Sequence, residues 1–416
     1  MLWRLALSSM RSRGLTVVLT ALAIALSVAL VLGVEKLRLG AKISFADTIS
    51  DTDLIMGART GGVQLLLYAV FRIGAVPNTI SWDSYQQIAA RPDVNWIVPI
   101  SLGDSHRQFR VMGTTPAFFD RYKYRSGRDL TLRDGAVMSD LFEAVIGADV
   151  AETLGYQIGD PIVVAHGVAS FVQHEDTPFR ITGILDKTGT PVDRTVIVGL
   201  EAIEAIHVDW QDGAQRPGTP TPPETLRQME LQPKAITAAL IGVQSRLQIF
   251  TLQRAINEYP SEPLMAIIPG VALQELWGII GIAETALLAV SVIVVVTALL
   301  GMAAMMLAGL SARRREMAIL RALGAGPGTI MGLLLAEALF IAAIGAVLGI
   351  GLLYAGLVVA QPWLDVAYGI FVPISGLTPR DLLTVLAVLV AAALVCLIPA
   401  WRAFRISLAD GMSVRN

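Results

Sequence analysis

The chain has 416 residues, 54% hydrophobic and 16% charged, with a mean hydropathy of +0.62. Soluble domains average roughly 45–50% apolar and about 25% charged, so this is the composition of a membrane protein. The formal net charge of -2 removes the basic field that gathers nucleic acid, and the single cysteine, Cys396, excludes an intrachain disulfide.

Residues 1–14 carry Arg4, Arg11 and Arg13 ahead of an apolar run at 15–34. About 20 apolar residues suffice to cross a bilayer, and no small-residue cleavage site follows, so 15–34 is expected to be an uncleaved first span. Residues 35–275 then form a large α+β domain. Runs at 161–165, 179–185 and 195–199 are β-like, and stretches at 82–90 and 143–154 are helical. Val63–Val76 is apolar, but at about 14 residues and with Arg72 inside it should not span. It reads either as a core helix or as an interfacial helix where a lipid-linked substrate enters. Arg216–Pro223 (RPGTPTPP) is an exposed loop, and Glu224–Tyr259 looks helical.

The second span, 276–310, would be roughly 52 Å long as one helix, beyond the bilayer's thickness. Glu275 and Glu284 lie at its start, so that end is expected to project on the non-cytoplasmic side. A connection at 311–328, a third span at 329–360, a loop at 361–381, a fourth span at 382–401 and a tail at 402–416 complete the chain. Arginines concentrate in the N-terminal tail, in 311–328 (Arg313, Arg314, Arg315, Arg321) and in the C-terminal tail (Arg402, Arg405, Arg415), whereas 361–381 has only Arg380. By the positive-inside rule both termini and the 311–328 loop face the cytoplasm, and 35–275 lies outside.

In the cytoplasmic loop, Met317, Ile319, Leu320 and Leu323 fall at helical spacing, Gly324 and Gly326 supply a stop, and Pro327 blocks continuation. A short amphipathic helix with a charged start docks on a partner or lies on the membrane surface; a solvated loop whose arginines only fix topology is the plainer alternative. Glu337 lies inside the third span, as a functional acid or a structural pairing group. Gly345 and Gly349 form a GxxxG pattern that permits close helix approach, within the bundle or at a dimer seam. The four histidines all fall in the exterior domain. A hairpin would bring His166 and His174 together with Asp176 as an oxygen ligand, a set acceptable to zinc; solvated loop residues are the alternative.

RRREMAILRALGAGPGTI (313–330) resembles the signature loop of the MacB/FtsX superfamily of ABC transporter permeases, the type VII mechanotransmission class. LWRLALSSMRSRGLTVVLTALAIALSVAL resembles its entry helix and first span, and IPAWRAFRISLADGM its C-terminal helix, with Ser407-Leu408 where Asp-Pro is more usual. VIGADVAETLGYQIGDPIVV and FRITGILDKTGTPVDRTVIVGLEAI are similar to its periplasmic core domain, and DLIMGARTGGVQLLLYAVFRIG to a motif of one branch.

The resemblance implies a four-helix membrane protein of the bacterial inner membrane with a periplasmic α+β domain inserted after the first helix. It implies a homodimer working with a dimeric cytoplasmic ATPase that carries the ATP and Mg. Consistently, none of the five lysines (Lys36, Lys42, Lys123, Lys187, Lys234) follows a glycine, as a P-loop requires. Arg313, Arg314, Arg315, Glu316 and Arg321 would then make polar contacts with the ATPase, and Met317, Ile319, Leu320 and Leu323 would fill its groove. The expected role is a non-enzymatic permease for export or extraction of a lipoprotein, peptide, lipophilic or metal-linked cargo, with a possible periplasmic adaptor. An FtsX-like regulator that activates a cell-wall hydrolase is the alternative.

Overall fold

The computed structural model describes residues 14–46, 48–75, 78–125, 127–167, 174–211, 214–215, 220–312, 319, 322, 324–368, 374 and 376–405. The chain divides into two compact units, one built on the long apolar helices and one on Ala41–Ile280.

The helical unit rests on α1 (Gly14–Ala46), α7 (Pro269–Ala312), α8 (Pro327–Tyr368) and α9 (Pro379–Arg405). Each contains a stretch long and apolar enough to cross a membrane. All four run beyond the expected spans. Helix α8 continues through Pro362 to Tyr368, so the loop that follows is shorter than 361–381. Outward residues such as Leu26, Ile293, Val347, Val359 and Leu394 are exposed, as a lipid-facing surface requires. Small buried residues fill the interior: Ala21 and Ala25 on α1, Ala338 and Ala342 on α8, Ala392 and Ala400 on α9. Small side chains let helices approach where no hydrophobic drive separates protein from lipid.

The other unit holds a mixed ten-stranded sheet. Its strands are β1 (Leu54–Ala58), β2 (Val94–His106), β3 (Phe109–Thr114), β4 (Leu132–Gly135), β5 (Glu143–Ile146), β6 (Pro161–Ile162), β7 (Phe179–Leu185), β8 (Thr195–Gly199), β9 (Ala238–Val243) and β10 (Leu264–Ile267). The order is β10-β1-β9-β2-β3-β8-β5-β7-β4, with β6 paired to β7. Adjacent residues enter opposite cores: Met112, Val145 and Ile197 join one cluster, and Val111, Ala144 and Val196 join another. Period-2 alternation with both neighbours apolar marks a sheet covered on both faces, and each fully buried Val, Ile or Met contributes roughly 1.5–3 kcal/mol.

Two stretches differ from the sequence-based expectation, and a third decides between two readings. Residues 143–154 are strand β5 followed by helix α4 (Ala148–Leu154), divided at Gly147, where a Cβ would collide with the carbonyls of Val192 and Asp193. Glu224–Tyr259 is not continuously helical. Its AALIGV becomes β9, paired to β1 on one side and β2 on the other, and helix α6 (Ile249–Asn257) starts only after it. Val63–Val76 yields helix α2 (Gly62–Ala69), whose Leu65, Leu66, Tyr68 and Ala69 are buried in the sheet domain's core. The core-helix reading therefore holds over the interfacial one.

Candidate functional site

In the helical unit, the GxxxG glycines of α8 lie against α1. A Cβ on Gly345 would sit 2.8 Å from Ile24 Cβ, and one on Gly349 would sit 2.6 Å from Ala25 O and 2.9 Å from Val28 Cβ. Glu337, also on α8, is buried. Toward the other ends of these helices lies a charge network that sequence reasoning missed. Lys36 Nζ reaches Asp381 at 3.0 Å with both side chains buried, and donates to Gly376 O at 3.1 Å. Asp381 in turn accepts from Thr378 N–H at 2.8 Å while Thr378 Oγ1 accepts from Asp381 N–H at 3.2 Å, a reciprocal cap on α9. Arg38 bridges Glu35 and Glu284 at 3.0 and 3.3 Å. The sequence signal was the run of charges just past the first span, which reads equally well as an ordinary solvated end.

Of the ATPase-coupling residues, Arg313, Arg314, Arg315, Glu316, Met317, Leu320, Arg321 and Leu323 lie outside the described residues. Ile319 is exposed, and Gly324 adopts φ +93°, in the left-handed region that favours glycine.

The sheet domain gathers a second constellation. Strand β2 carries a bulge: Leu102 pairs with Met112 but Ser105 with Arg110, so one extra residue is inserted around Gly103–Asp104. Bulges re-aim side chains, and here Asp104 is buried. The segment after β6 runs along the end of β2. Ser105 and Ala165 exchange both backbone hydrogen bonds, at 3.0 and 2.7 Å, and Ser105 Oγ donates to Gly167 O at 2.5 Å. This places His166 beside Asp104, its Nδ1 3.6 Å from Oδ1. Gly167, at φ +78°, takes a left-handed turn that a side chain would strain, and its N–H donates to Asp104. His174 is tied in by its N–H to Val164 O at 2.9 Å. His207 ends helix α5 (Leu200–His207), with Nδ1 donating to Ile203 O at 2.6 Å and Nε2 3.7 Å from Asp104 Oδ1 and 2.9 Å from His166 Nδ1.

Asp104, His166, His174 and His207 thus each present a potential ligand atom, all within 4.8 Å of one another. The carboxylate in this group is that of Asp104; Asp176 is outside the group and lines a neighbouring pocket with His174, Asp209 and Trp210. His166 and His174 are together as expected. Asp104 and His207, missed from sequence, lie 62 and 41 residues from His166 and are brought in by strand register. Burial pushes the Asp104 carboxyl upward against the opposing pull of His207 and His166. Burial, with His207 and His166 nearby, pulls His174 down to about 4. Trp210 covers the cluster, stacked on His166 with ring centres 5.9 Å apart and edge-on to His174 at 4.6 Å.

Residues 17–234 match the family model for the MacB-like periplasmic core domain, and residues 288–408 match that for the FtsX-like permease C-terminal region. The chain belongs to the MacB/FtsX-type ABC transporter permeases. Membership makes it a multi-pass membrane protein with a periplasmic domain, and implies in general an ABC ATPase partner and a dimeric permease. Among solved structures, the periplasmic region of MacB from Actinobacillus actinomycetemcomitans is similar at 8% identity and TM-score 0.34, covering 55% of this chain and 94% of that one. The extracellular domain of the noncanonical ABC-type transporter YknZ from Gram-positive bacteria is similar at 12% identity and TM-score 0.30, covering 52% and 99%. No curated protein matches the chain.

Proposed function

We propose that this permease converts ATP hydrolysis by a partner ATPase in the cytoplasm into movement of its exterior domain, which exports or extracts a cargo. The observation that carries the reading is helix α7, unbroken over 44 residues. At about 1.5 Å per residue it is roughly 66 Å long, twice what the hydrocarbon core needs, and both compact units contain part of it. A stiff element of that length transmits force where a flexible linker would dissipate it. The scarcity of charge within the spans also suits a lever better than a polar pore, since a central aqueous path needs polar side chains to line it. Coupling would enter through the 311–328 loop, with Met317, Ile319, Leu320 and Leu323 in a groove of the ATPase and both chain termini on the same side. The permease would act as a homodimer, and its cargo is a lipoprotein, peptide, lipophilic or metal-linked species.

The test is copurification. A tagged chain carrying Leu320→Asp and Leu323→Asp should insert in the membrane at wild-type level but lose its P-loop ATPase partner. Retention of the ATPase by the double variant would refute the coupling assignment.

A further inference from the structure

We propose that Asp104, His166, His174 and His207 form a site for one divalent transition-metal cation of the zinc class. Three imidazoles and one carboxylate make a donor set that suits zinc, whereas calcium or magnesium seeks six or more oxygens. The spacing fits as well. Tetrahedral bonds of about 2.0–2.1 Å put ligand atoms about 3.3 Å apart. The measured separations of 2.9, 3.6 and 3.7 Å bracket that value, and the widest in the group, 4.8 Å, closes with a side-chain shift of about 1.5 Å.

Orientation is already set. Because Ile203 O can only accept, His207 Nδ1 carries the proton, and the Nε2 lone pair is left facing Asp104 and His166. A backbone carbonyl on the far nitrogen is the usual support of a metal-bound histidine. Gly167 N–H holds the carboxylate in the same manner. His106, on the same strand as Asp104, shows what a purely structural histidine looks like here: it is buried, donates from Nδ1 to Val163 O at 2.6 Å and accepts at Nε2 from Tyr156 OH at 2.9 Å. His174 is equally buried, yet its Nε2 has no hydrogen-bond partner among the described residues. A buried imidazole nitrogen left so costs about 1–3 kcal/mol, which a metal bond would more than recover.

His166 and His207 are half-exposed and give the ion a route from solvent, while Asp104 and His174 close the inner side. With four protein ligands the coordination shell is complete, so the site is one for holding a cation and not for activating water. A bound ion would fasten the bulge of β2, the arms around His166 and His174, and the end of α5 at a single point.

The experiment uses the full chain in detergent, stripped with EDTA and titrated with zinc chloride by calorimetry while Trp emission is recorded. One zinc per chain is expected, with a change in emission that Trp210→Phe removes. His207→Ala and His174→Ala should each weaken binding at least about 10-fold. His166→Gln, at the half-exposed rim, should do likewise with the far-ultraviolet circular dichroism unchanged, and Asp176→Asn should bind as wild type. No saturable zinc binding would overturn the proposal. So would one-to-one binding that both His166→Gln and His207→Ala leave intact, or calcium or magnesium binding as tightly as zinc.

Discussion

The two regions of this permease place different weight on ion pairs and backbone amides around their carboxylates, although the sheet domain has ion pairs too, Asp93 with Arg91 at 2.9 Å and Asp149 with Lys187 at 3.2 Å. In the helical unit Asp381 is held 3.0 Å from the Lys36 ammonium, and Glu35 lies 3.0 Å from the Arg38 guanidinium. In the sheet domain Glu143 instead takes the N–H groups of Ser139 and Asp140 at 2.8 and 3.1 Å, and Asp193 those of Thr188 and Gly189 at 2.9 and 2.6 Å. A helix interior consumes its own amides, so a charge packed there has none to draw on, whereas a helix start such as that at Thr378 and the loops between strands have spare amides to offer. Asp104 fits neither pattern, with a single amide and two imidazoles around it. Its surroundings are those that the proposed cation would use.

The sharpest way to break this contrast is to remove one partner of the bundle's buried pair. Lys36→Met leaves Asp381 charged and unpaired and should cost about 3–5 kcal/mol, whereas Lys36→Met with Asp381→Leu should recover most of that. Detergent-phase unfolding of the three proteins measures it, and equal loss in single and double variants would remove the pairing argument. Next in size, Gly349→Leu should cost about 1–3 kcal/mol, because the side chain would drive into Ala25 O and Val28 on α1. The same unfolding assay reads it, and a neutral result would mean the helices are not packed at this contact.

Smallest is Glu143→Gln, with an expected loss of about 1 kcal/mol at pH 7. Backbone N–H groups of Ser139 and Asp140 hold the Glu143 carboxyl below its ordinary value, with further help from Ser139 Oγ and Arg180. A depressed folded pKa contributes stability above the unfolded value, 4.5, that disappears as pH falls through the folded one. The gap between wild type and Glu143→Gln should therefore be full at pH 7 and shrink as the pH falls below 4.5 through the depressed folded value. A gap that does not shrink on acidification would show that the carboxylate's charge is not the cause.

Local patterns were legible wherever a segment's environment is uniform along its length. Phe179–Leu185 and Thr195–Gly199 read as strands because β-branched residues cluster between turn signals. Residues 238–243 were misread because AALIGV is as compatible with helix as with strand, and only pairing on both sides by β1 and β9's other neighbour β2 settles it. At the histidine cluster, contiguity suggested Asp176 after His174. A one-residue bulge in β2 selected Asp104 in its place, and no periodicity in the sequence marks a bulge.

The sequence by itself determined the four membrane-length helices, the α+β insert after the first of them and the permease family, because length of apolar run and short-range motif are properties of consecutive residues. Tertiary structure alone decided that Gly345 and Gly349 lie on α1, that Lys36 meets Asp381, and that Asp104 and His207 join His166 and His174. Those partners are separated by tens to hundreds of residues. Helix packing and strand register bring them together, and both are set by the packed chain as a whole.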